Sequence, residues 1–375
     1  MNLETTLSLV GGLVGLVVGG ELLVRGASRL AGAFGISPLV IGLTVVAFGT
    51  SAPEMAVSVS AVLAGQPDIA AANVIGSNIF NVLFILGLCA LLAPLVVSAR
   101  LVRVEVPLLI AVSTATMLLA NDGRISRPEG LALFAGLLAY TAWAVRDSRR
   151  ETAAIQAEYA QEFGPNARPD AVHGGGARGP GGLVGAAILV VGGLAVLVFG
   201  ARTFVAGATA LARVLGVDEV VIGLTVVAAG TSLPEVAASV IATIRGERDI
   251  AIGNVIGSNL FNLLGILGVA AVVGPEGLVV APSLRALDLP VMVAVAVACL
   301  PLFFTGFTIA RWEGGLFLAM YVAYTAYLVL ASTRHAALPA FSATMLEFVL
   351  PIVVVTIAVL VIRSLRGERP NTAAR

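Results

Sequence analysis

The chain has 375 residues, 58% of them hydrophobic and only 12% charged, with 22 basic side chains against 22 acidic ones. Its mean hydropathy is +1.01. A soluble domain carries about twice that charge fraction, and a neutral balance offers no basic surface to nucleic acid. Apolar runs long enough to span a bilayer recur from end to end without period-two alternation, which points to a polytopic helical membrane protein and away from a β-barrel.

Eleven spans are predicted in chain order. The first, at 6–30, has no positive leader between Met1 and Thr6 and runs too far for a cleaved signal, so it stays in the mature chain. Its Gly11, Gly15 and Gly19, like Gly192, Gly193 and Gly200 of the sixth, suit either close small-residue packing or a smooth sliding face. Spans at 38–64 and 70–93 place Thr50, Ser51 and Glu54, then Ser77 and Asn81, among apolar neighbours. Asp68 and its later counterpart Asp249 read as helix caps. Spans at 104–121 and 127–146 follow, with Glu105, and in the second copy Asp288, read as helix starts just ahead of Pro107 and Pro290. Residues 147–182 are the one long polar stretch; Arg149, Arg150, Glu151, Pro165, Pro169 and the Gly174–Gly176 run give it the composition of a flexible linker. Further spans fall at 183–214, 220–244, 251–274, 286–305, 311–333 and 344–363. Cys89 and Cys299 sit in apolar runs as core thiols with no disulfide framework. His173 and His335 lie in polar connectors.

The chain repeats itself. Residues 38–87 and 219–268 align without a gap at an offset of 181, with 33 of 50 positions identical. The likeness extends further: Arg127-Pro128-Glu129-Gly130 returns as Arg311-Trp312-Glu313-Gly314, and Ala139-Tyr140-Thr141-Ala142-Trp143 returns as Ala323-Tyr324-Thr325-Ala326-Tyr327. The unit is therefore five helices. An odd number sends the second unit into the membrane from the opposite side, giving two inverted-topology repeats and a ten-helix core. The predicted organisation is a first repeat at 1–146, a cytoplasmic linker at 147–182, a second repeat at 183–333, and an additional helix and tail at 334–375. With that linker in the cytoplasm, 16 arginines fall inside and 6 outside, the bias of the positive-inside rule. The N-terminus is then outside and the C-terminus inside, in a plasma or inner membrane.

Both repeats place a carboxylate at membrane depth, where an ionisable group is costly and marks function. Thr50 and Glu54 are i, i+4 on one helix face, with Ala47 a turn earlier. Pro53 cannot donate to the carbonyl of Gly49 and pushes it aside, so the helix bends and frees backbone oxygens. Ala228, Gly230, Thr231, Ser232, Pro234 and Glu235 repeat the arrangement. Ser77 and Asn81, i, i+4 beside Gly76, are matched by Ser258 and Asn262 beside Gly257. Inversion brings these four helices around one cavity. Carboxylates, amides and hydroxyls together suit hard cations such as Ca²⁺ or Na⁺. Two ionised glutamates give a charge of −2, which one Ca²⁺ or two Na⁺ would neutralise, so the ions compete. Asn73, Asn78, Asn254 and Asn259 read as structural partners for backbone freed at the breaks. No nucleophile–base pair, phosphate loop or redox centre suggests an enzyme. No cofactor is expected. Membrane lipid and inorganic cations are the expected partners, and no protein partner is evident.

Gly49-Thr50-Ser51-Ala52-Pro53-Glu54 and Gly230-Thr231-Ser232-Leu233-Pro234-Glu235, each followed by Gly-Ser-Asn-x-Phe-Asn, resemble the two α-repeats of the sodium/calcium exchanger family, within the cation/calcium antiporter superfamily. The resemblance covers about 330 residues. It implies exchange of external Na⁺ for internal Ca²⁺, with Glu54 and Glu235 as shared ligands. Thr50, Ser51, Ser77, Thr231, Ser232 and Ser258, and backbone oxygens of Ala47 and Ala228, complete the sites it implies, with Asn81 and Asn262 at the central position. Some branches carry aspartate where this chain has Asn262, which bears on stoichiometry and K⁺. The linker is far too short for the calcium-sensing domains of animal exchangers. The alternatives are a proton-coupled Ca²⁺ antiporter, whose branch usually has Gly-Asn-Ala-x-Glu in place of Gly-Thr-Ser-x-Pro-Glu, and a channel or scaffold, against which broken, ligand-rich inverted helices argue.

Overall fold

A computed structural model of the chain describes residues 3–163, 180–215, 228–304 and 306–365. In chain order the helices are α1 (Leu3–Phe34), α2 (Pro38–Thr50 with Ala52–Leu63), α3 (Pro67–Leu92), α4 (Leu101–Asp122), α5 (Arg127–Phe163), α6 (Pro180–Val214), α7 (Ala228–Gly230 with Leu233–Ile244), α8 (Arg248–Val273), α9 (Leu284–Phe304), α10 (Arg311–Ser332) and α11 (338–365). Among the described residues nine helices are long and apolar enough to cross a membrane, or ten if the bent α2 counts as one span. The protein is a multi-pass integral membrane protein. The start predicted for α7 at 220 lies outside the described residues.

Four two-residue strands expose the inverted symmetry. Strands β1 (Leu95–Val96) and β4 (Thr308–Ile309) pair antiparallel, as do β2 (Arg124–Ile125) and β3 (Leu278–Val279). Leu95 faces Ile309, and Leu278 faces Ile125. Exchanging each residue for its repeat counterpart turns one ladder into the other. Strands β1 and β4 lie in the α3–α4 and α9–α10 connections, and β2 and β3 in the α4–α5 and α8–α9 connections, so each ladder gathers one end of the bundle. The helix starts echo the exchange: Arg127 Nε donates to Gly274 O at 2.9 Å, just past the end of α8, and Arg311 donates to Leu92 O at 3.4 Å, at the end of α3.

Helices α3 and α8 form the centre; 78% and 89% of their most apolar stretches are buried, and their buried polar side chains face the site rather than solvent or lipid. Helices α1 and α6 cross antiparallel on glycine. A Cβ at Gly19 would stand 2.5 Å from Leu197 N, and one at Gly200 would stand 2.8 Å from Gly15 C, so only glycine permits the approach. Of the glycines predicted for this face, Gly15, Gly19, Gly193 and Gly200 lie on it, whereas Gly11 and Gly192 meet open space; Gly12, Gly26 and Gly207 join instead. Helix α11 is peripheral, against α9 and α10.

Three sequence expectations change. Helix α5 continues to Phe163, through the first part of the predicted linker, because that stretch is rich in Ala, Glu, Gln and Arg, which propagate a helix beyond the bilayer. Glu105 and Asp288 are not helix starts. Each sits about a turn inside its helix, closing a widened π-type turn at Leu101–Glu105 or Leu284–Asp288, which absorbs the N–H missing at Pro107 and Pro290. Asp68 and Asp249 lie in the first turns of α3 and α8, where a carboxylate complements the helix dipole, rather than at the N-cap.

Candidate ion site between the repeats

The site is built at two helix breaks. Ser51 leaves helical geometry at φ −82°, ψ 6°, and Ser232 does so at φ −88°, ψ 7°. The halves of α2 meet at 45°. Pro53 and Pro234 each remove an N–H one turn past a glycine, which is the sequence cause of the break. Glu54 and Glu235 begin the second halves and are 1% exposed.

Each glutamate is held by the opposite repeat. Ser232 Oγ donates to Glu54 Oε1 at 2.8 Å, and Ser51 Oγ donates to Glu235 Oε1 at 3.0 Å. Ser77 Oγ lies 3.2 Å from Ser232 Oγ. Thr50 Oγ1 donates to Asn254 Oδ1 at 3.0 Å, and Thr231 Oγ1 reaches Asn73 Oδ1 at 3.5 Å. On the floor, Asn81 Nδ2 donates to Asn259 Oδ1 at 2.9 Å and Asn262 Nδ2 to Asn78 Oδ1 at 3.0 Å. The predicted Thr50, Ser51, Glu54, Ser77, Asn81, Thr231, Ser232, Glu235 and Asn262 thus fall into three cross-repeat hydrogen-bond groups, one at each glutamate and one among the asparagines. Ser258 is fully buried on α8, one turn before Asn262. The Ala47 carbonyl is engaged: it accepts from Ser51 N at 3.0 Å and from Thr50 Oγ1 at 3.4 Å, so an ion bound to it would take the place of the longer Thr50 contact. Ala228 opens the described part of α7.

The asparagines read as structural do the work expected of them and something more. Asn73 Nδ2 donates to Glu54 O at 3.3 Å and Ser58 Oγ at 3.0 Å; Asn254 Nδ2 donates to Glu235 O at 3.4 Å and Ser239 Oγ at 2.9 Å. They satisfy backbone at the breaks and orient the threonines. Ser58 and Ser239 were not singled out by sequence, although their identity at offset 181 was a usable signal.

The three groups leave acceptors over. Glu54 Oε2, Glu235 Oε2, Asn81 Oδ1, Asn262 Oδ1 and Ser258 Oγ are buried without a protein hydrogen-bond partner. A buried carboxylate oxygen without a partner is costly, and five oxygens from both repeats form a hard donor set that a desolvated cation would satisfy. Among the described residues no three His, Cys, Asp or Glu side chains cluster for a metal; the site offers two carboxylates and neutral oxygens.

The two flanks of the site are packed differently. A cavity of about 600 Å³ lies between α6 and the second half of α2, reaching from Arg202 and Val205 to Pro53 and the α7 break at Gly230 and Thr231. A cavity of about 450 Å³ beside Phe48 and Gly49 shares Arg202 as lining. At the symmetry-related place α1 is shut on α7: a Cβ at Gly20 would stand 3.1 Å from Ile241. Glu21 pairs there with Arg25 and Arg245, and Ser28 Oγ donates to Glu247 at 2.8 Å.

The family model described as sodium/calcium exchanger protein matches residues 5–146 and 185–330, the two five-helix repeats. The chain belongs to the sodium/calcium exchanger family. It is 38% identical over 300 residues to the putative antiporter CaxA of Alkalimonas amylolytica, covering 80% of this chain and 89% of that one. It is 34% identical over 349 residues to the sodium/calcium exchanger MaX1 of Methanosarcina acetivorans, covering 85% and 96%. The solved structure of the sodium-calcium exchanger NCX_Mj soaked with zero Na⁺ and Ca²⁺ superposes with a TM-score of 0.72 at 31% identity, covering 88% of this chain and all (100%) of that one. The exchanger fold is therefore that of a transporter, not an enzyme, and α11 lies beyond the matched repeats.

Proposed function

We propose that this exchanger swaps Na⁺ for Ca²⁺ by alternating access at a midplane site between its repeats. The observation that carries the reading is the set of partnerless buried oxygens of Glu54, Glu235, Asn81, Asn262 and Ser258, drawn from both repeats. Glu54 and Glu235 are the shared ligands. Thr50, Thr231, Ser51, Ser232, Ser77 and Ser258, with backbone oxygens of Ala47 and Ala228, supply neutral coordination. One Ca²⁺ or two Na⁺ balance the two carboxylates, so binding of one ion excludes the other, and that exclusion is the coupling.

Movement is supported by the α1–α6 contact, where glycines give two helices a surface without interlocking side chains. Packing is unequal in this conformation, with a cavity on the α6 side and contact on the α1 side. Arginine distribution supports a cytoplasmic linker and C-terminus and an external N-terminus in the plasma or inner membrane; an Ala160→Cys variant free of Cys89 and Cys299 should resist an impermeant thiol reagent applied outside intact cells.

A proton is the competing coupling ion, because the same carboxylates would take it up. The test is ⁴⁵Ca²⁺ uptake into proteoliposomes under an outward Na⁺ or outward H⁺ gradient. Uptake that follows Na⁺ and survives collapse of the pH gradient is expected. Uptake abolished by dissipating the pH gradient and indifferent to Na⁺ would establish proton coupling instead.

A further inference from the structure

Helix α6 carries a charge that the ion site does not use. Arg202 lies twelve residues from the helix end at Val214 (214 − 202), is exposed, and lines both cavities on the open side. One of those cavities also touches Gly230 and Thr231 at the α7 break. Among the described residues Arg202 has no carboxylate partner, whereas Arg25, Arg100 and Arg245 each have one. Its counterpart at offset 181 is Glu21 (202 − 181), which is paired with Arg25 and Arg245 on the closed side. The repeats therefore agree in sign at the site and have opposite signs on the two helices that flank its approaches.

We propose that Arg202 is a specificity-determining residue of the transport reaction: its fixed charge lowers the apparent affinity for Ca²⁺ at the face onto which this cavity opens, and lowers that for Na⁺ less. The inference rests on the exchange reading above. The physical argument is electrostatic. The cavity walls beside Arg202 are mainly alanine, valine and phenylalanine, and such low-dielectric walls leave a charge poorly screened and focus its field along the approach. A potential acts on an ion in proportion to its charge, so a factor of about three per Na⁺ becomes about nine for Ca²⁺. Arg202 touches neither ion; it biases which of them reaches the carboxylates. The opposite face, flanked by Glu21, lacks this penalty, so the two faces differ in Ca²⁺ affinity although the ligands are symmetric.

The test is a charge series in proteoliposomes of uniform orientation, reading half-saturating Ca²⁺ and Na⁺ at each face. Arg202→Lys should behave as the parent. Arg202→Gln should lower half-saturating Ca²⁺ about ninefold and Na⁺ about threefold at the α6 face, with the opposite face unchanged, and choline chloride should shrink the difference by screening. Should these variants insert poorly, Arg202→Cys in a chain free of Cys89 and Cys299 is modified after reconstitution. A cationic methanethiosulfonate should then raise half-saturating Ca²⁺ and an anionic one should lower it, on the same folded protein. Equal half-saturation across the series, equal shifts for both ions, or shifts at both faces would overturn the proposal. Uptake driven by H⁺ alone would refute the Na⁺ reading while the Ca²⁺ series still reads out Arg202; no Ca²⁺ uptake under either gradient would overturn both.

Discussion

Around Glu54 and Glu235 the two repeats match closely, differing at Ser77, which meets Ser232, and Ser258, which has no protein partner, while along α1 and α6 they diverge. Ser51 meets Glu235 at 3.0 Å and Ser232 meets Glu54 at 2.8 Å; Asn81 meets Asn259 at 2.9 Å and Asn262 meets Asn78 at 3.0 Å. In contrast, α1 presents Glu21 where α6 presents Arg202, and α6 borders a cavity where α1 packs on α7. The comparison teaches that two kinds of constraint act on one duplicated fold. A cation held between two inverted halves needs the same oxygens from each. The approaches to it are used one at a time and are free to differ in charge and closure.

The largest effect should come from breaking the matched centre. Glu54→Gln and Glu235→Gln each keep the shape and remove one charge, leaving a −1 site that offsets the dehydration of Ca²⁺ poorly. Initial ⁴⁵Ca²⁺ uptake at matched protein levels should fall by about a hundredfold or more for either, an expectation scaled from metal sites that lose supporting groups. The two losses should be similar, and both variants should fold, since a buried charge is removed rather than added. Clearly unequal losses would mean that the halves are not equivalent ligands.

Asn81→Ala and Asn262→Ala should cost less, about tenfold in uptake, because water can replace a neutral amide oxygen. They sharpen the comparison: each also strands the Oδ1 of Asn259 or Asn78 across the repeat boundary, so the pair should again lose equally. A variant that matches the glutamine losses would make the amide the dominant ligand.

The smallest effect tests where the symmetry ends. Tyr140 donates to Glu105 Oε2 at 2.5 Å, and Arg100 Nε donates to Glu105 Oε1 at 3.2 Å. Tyr324 donates to Asp288, but the position matching Arg100 is Ser283 (100 + 183). Tyr324→Phe therefore leaves a carboxylate with no side-chain donor among the described residues, at a cost of about 1–3 kcal/mol. Tyr140→Phe leaves Glu105 its arginine and should lower the melting temperature in detergent less. Equal shifts would show that Arg100 contributes nothing to the buried carboxylate.

Much of this was legible in the sequence because the chain carries its own control. An element seen once is ambiguous, but Gly-Thr-Ser-x-Pro-Glu at matched depth in two copies fixes the break, the carboxylate and, through the odd helix count, the inversion. Duplication marked Ser58, Ser239 and the Tyr–carboxylate pairs as matched positions but did not reveal their partners. Their roles come from contacts between helices, such as Tyr140 on α5 with Glu105 on α4, which no local periodicity encodes. The glycine face of α1 was half right for a related reason. That helix is apolar on nearly every side, so its pattern cannot say whether Gly11 or Gly12 faces α6. The reach of α5 to Phe163 was hidden because charge was read as linker, although Ala, Glu, Gln and Arg favour helix.

Equilibrium ⁴⁵Ca²⁺ binding to the purified exchanger in detergent, titrated with Na⁺, tests the shared site most directly. The account predicts that Na⁺ displaces Ca²⁺ competitively and that Glu54→Gln and Glu235→Gln each lose Ca²⁺ binding while keeping a monodisperse elution profile. Undiminished Ca²⁺ binding in the Glu54→Gln, Glu235→Gln double variant, or Ca²⁺ that Na⁺ cannot displace from the unmodified protein, would contradict it.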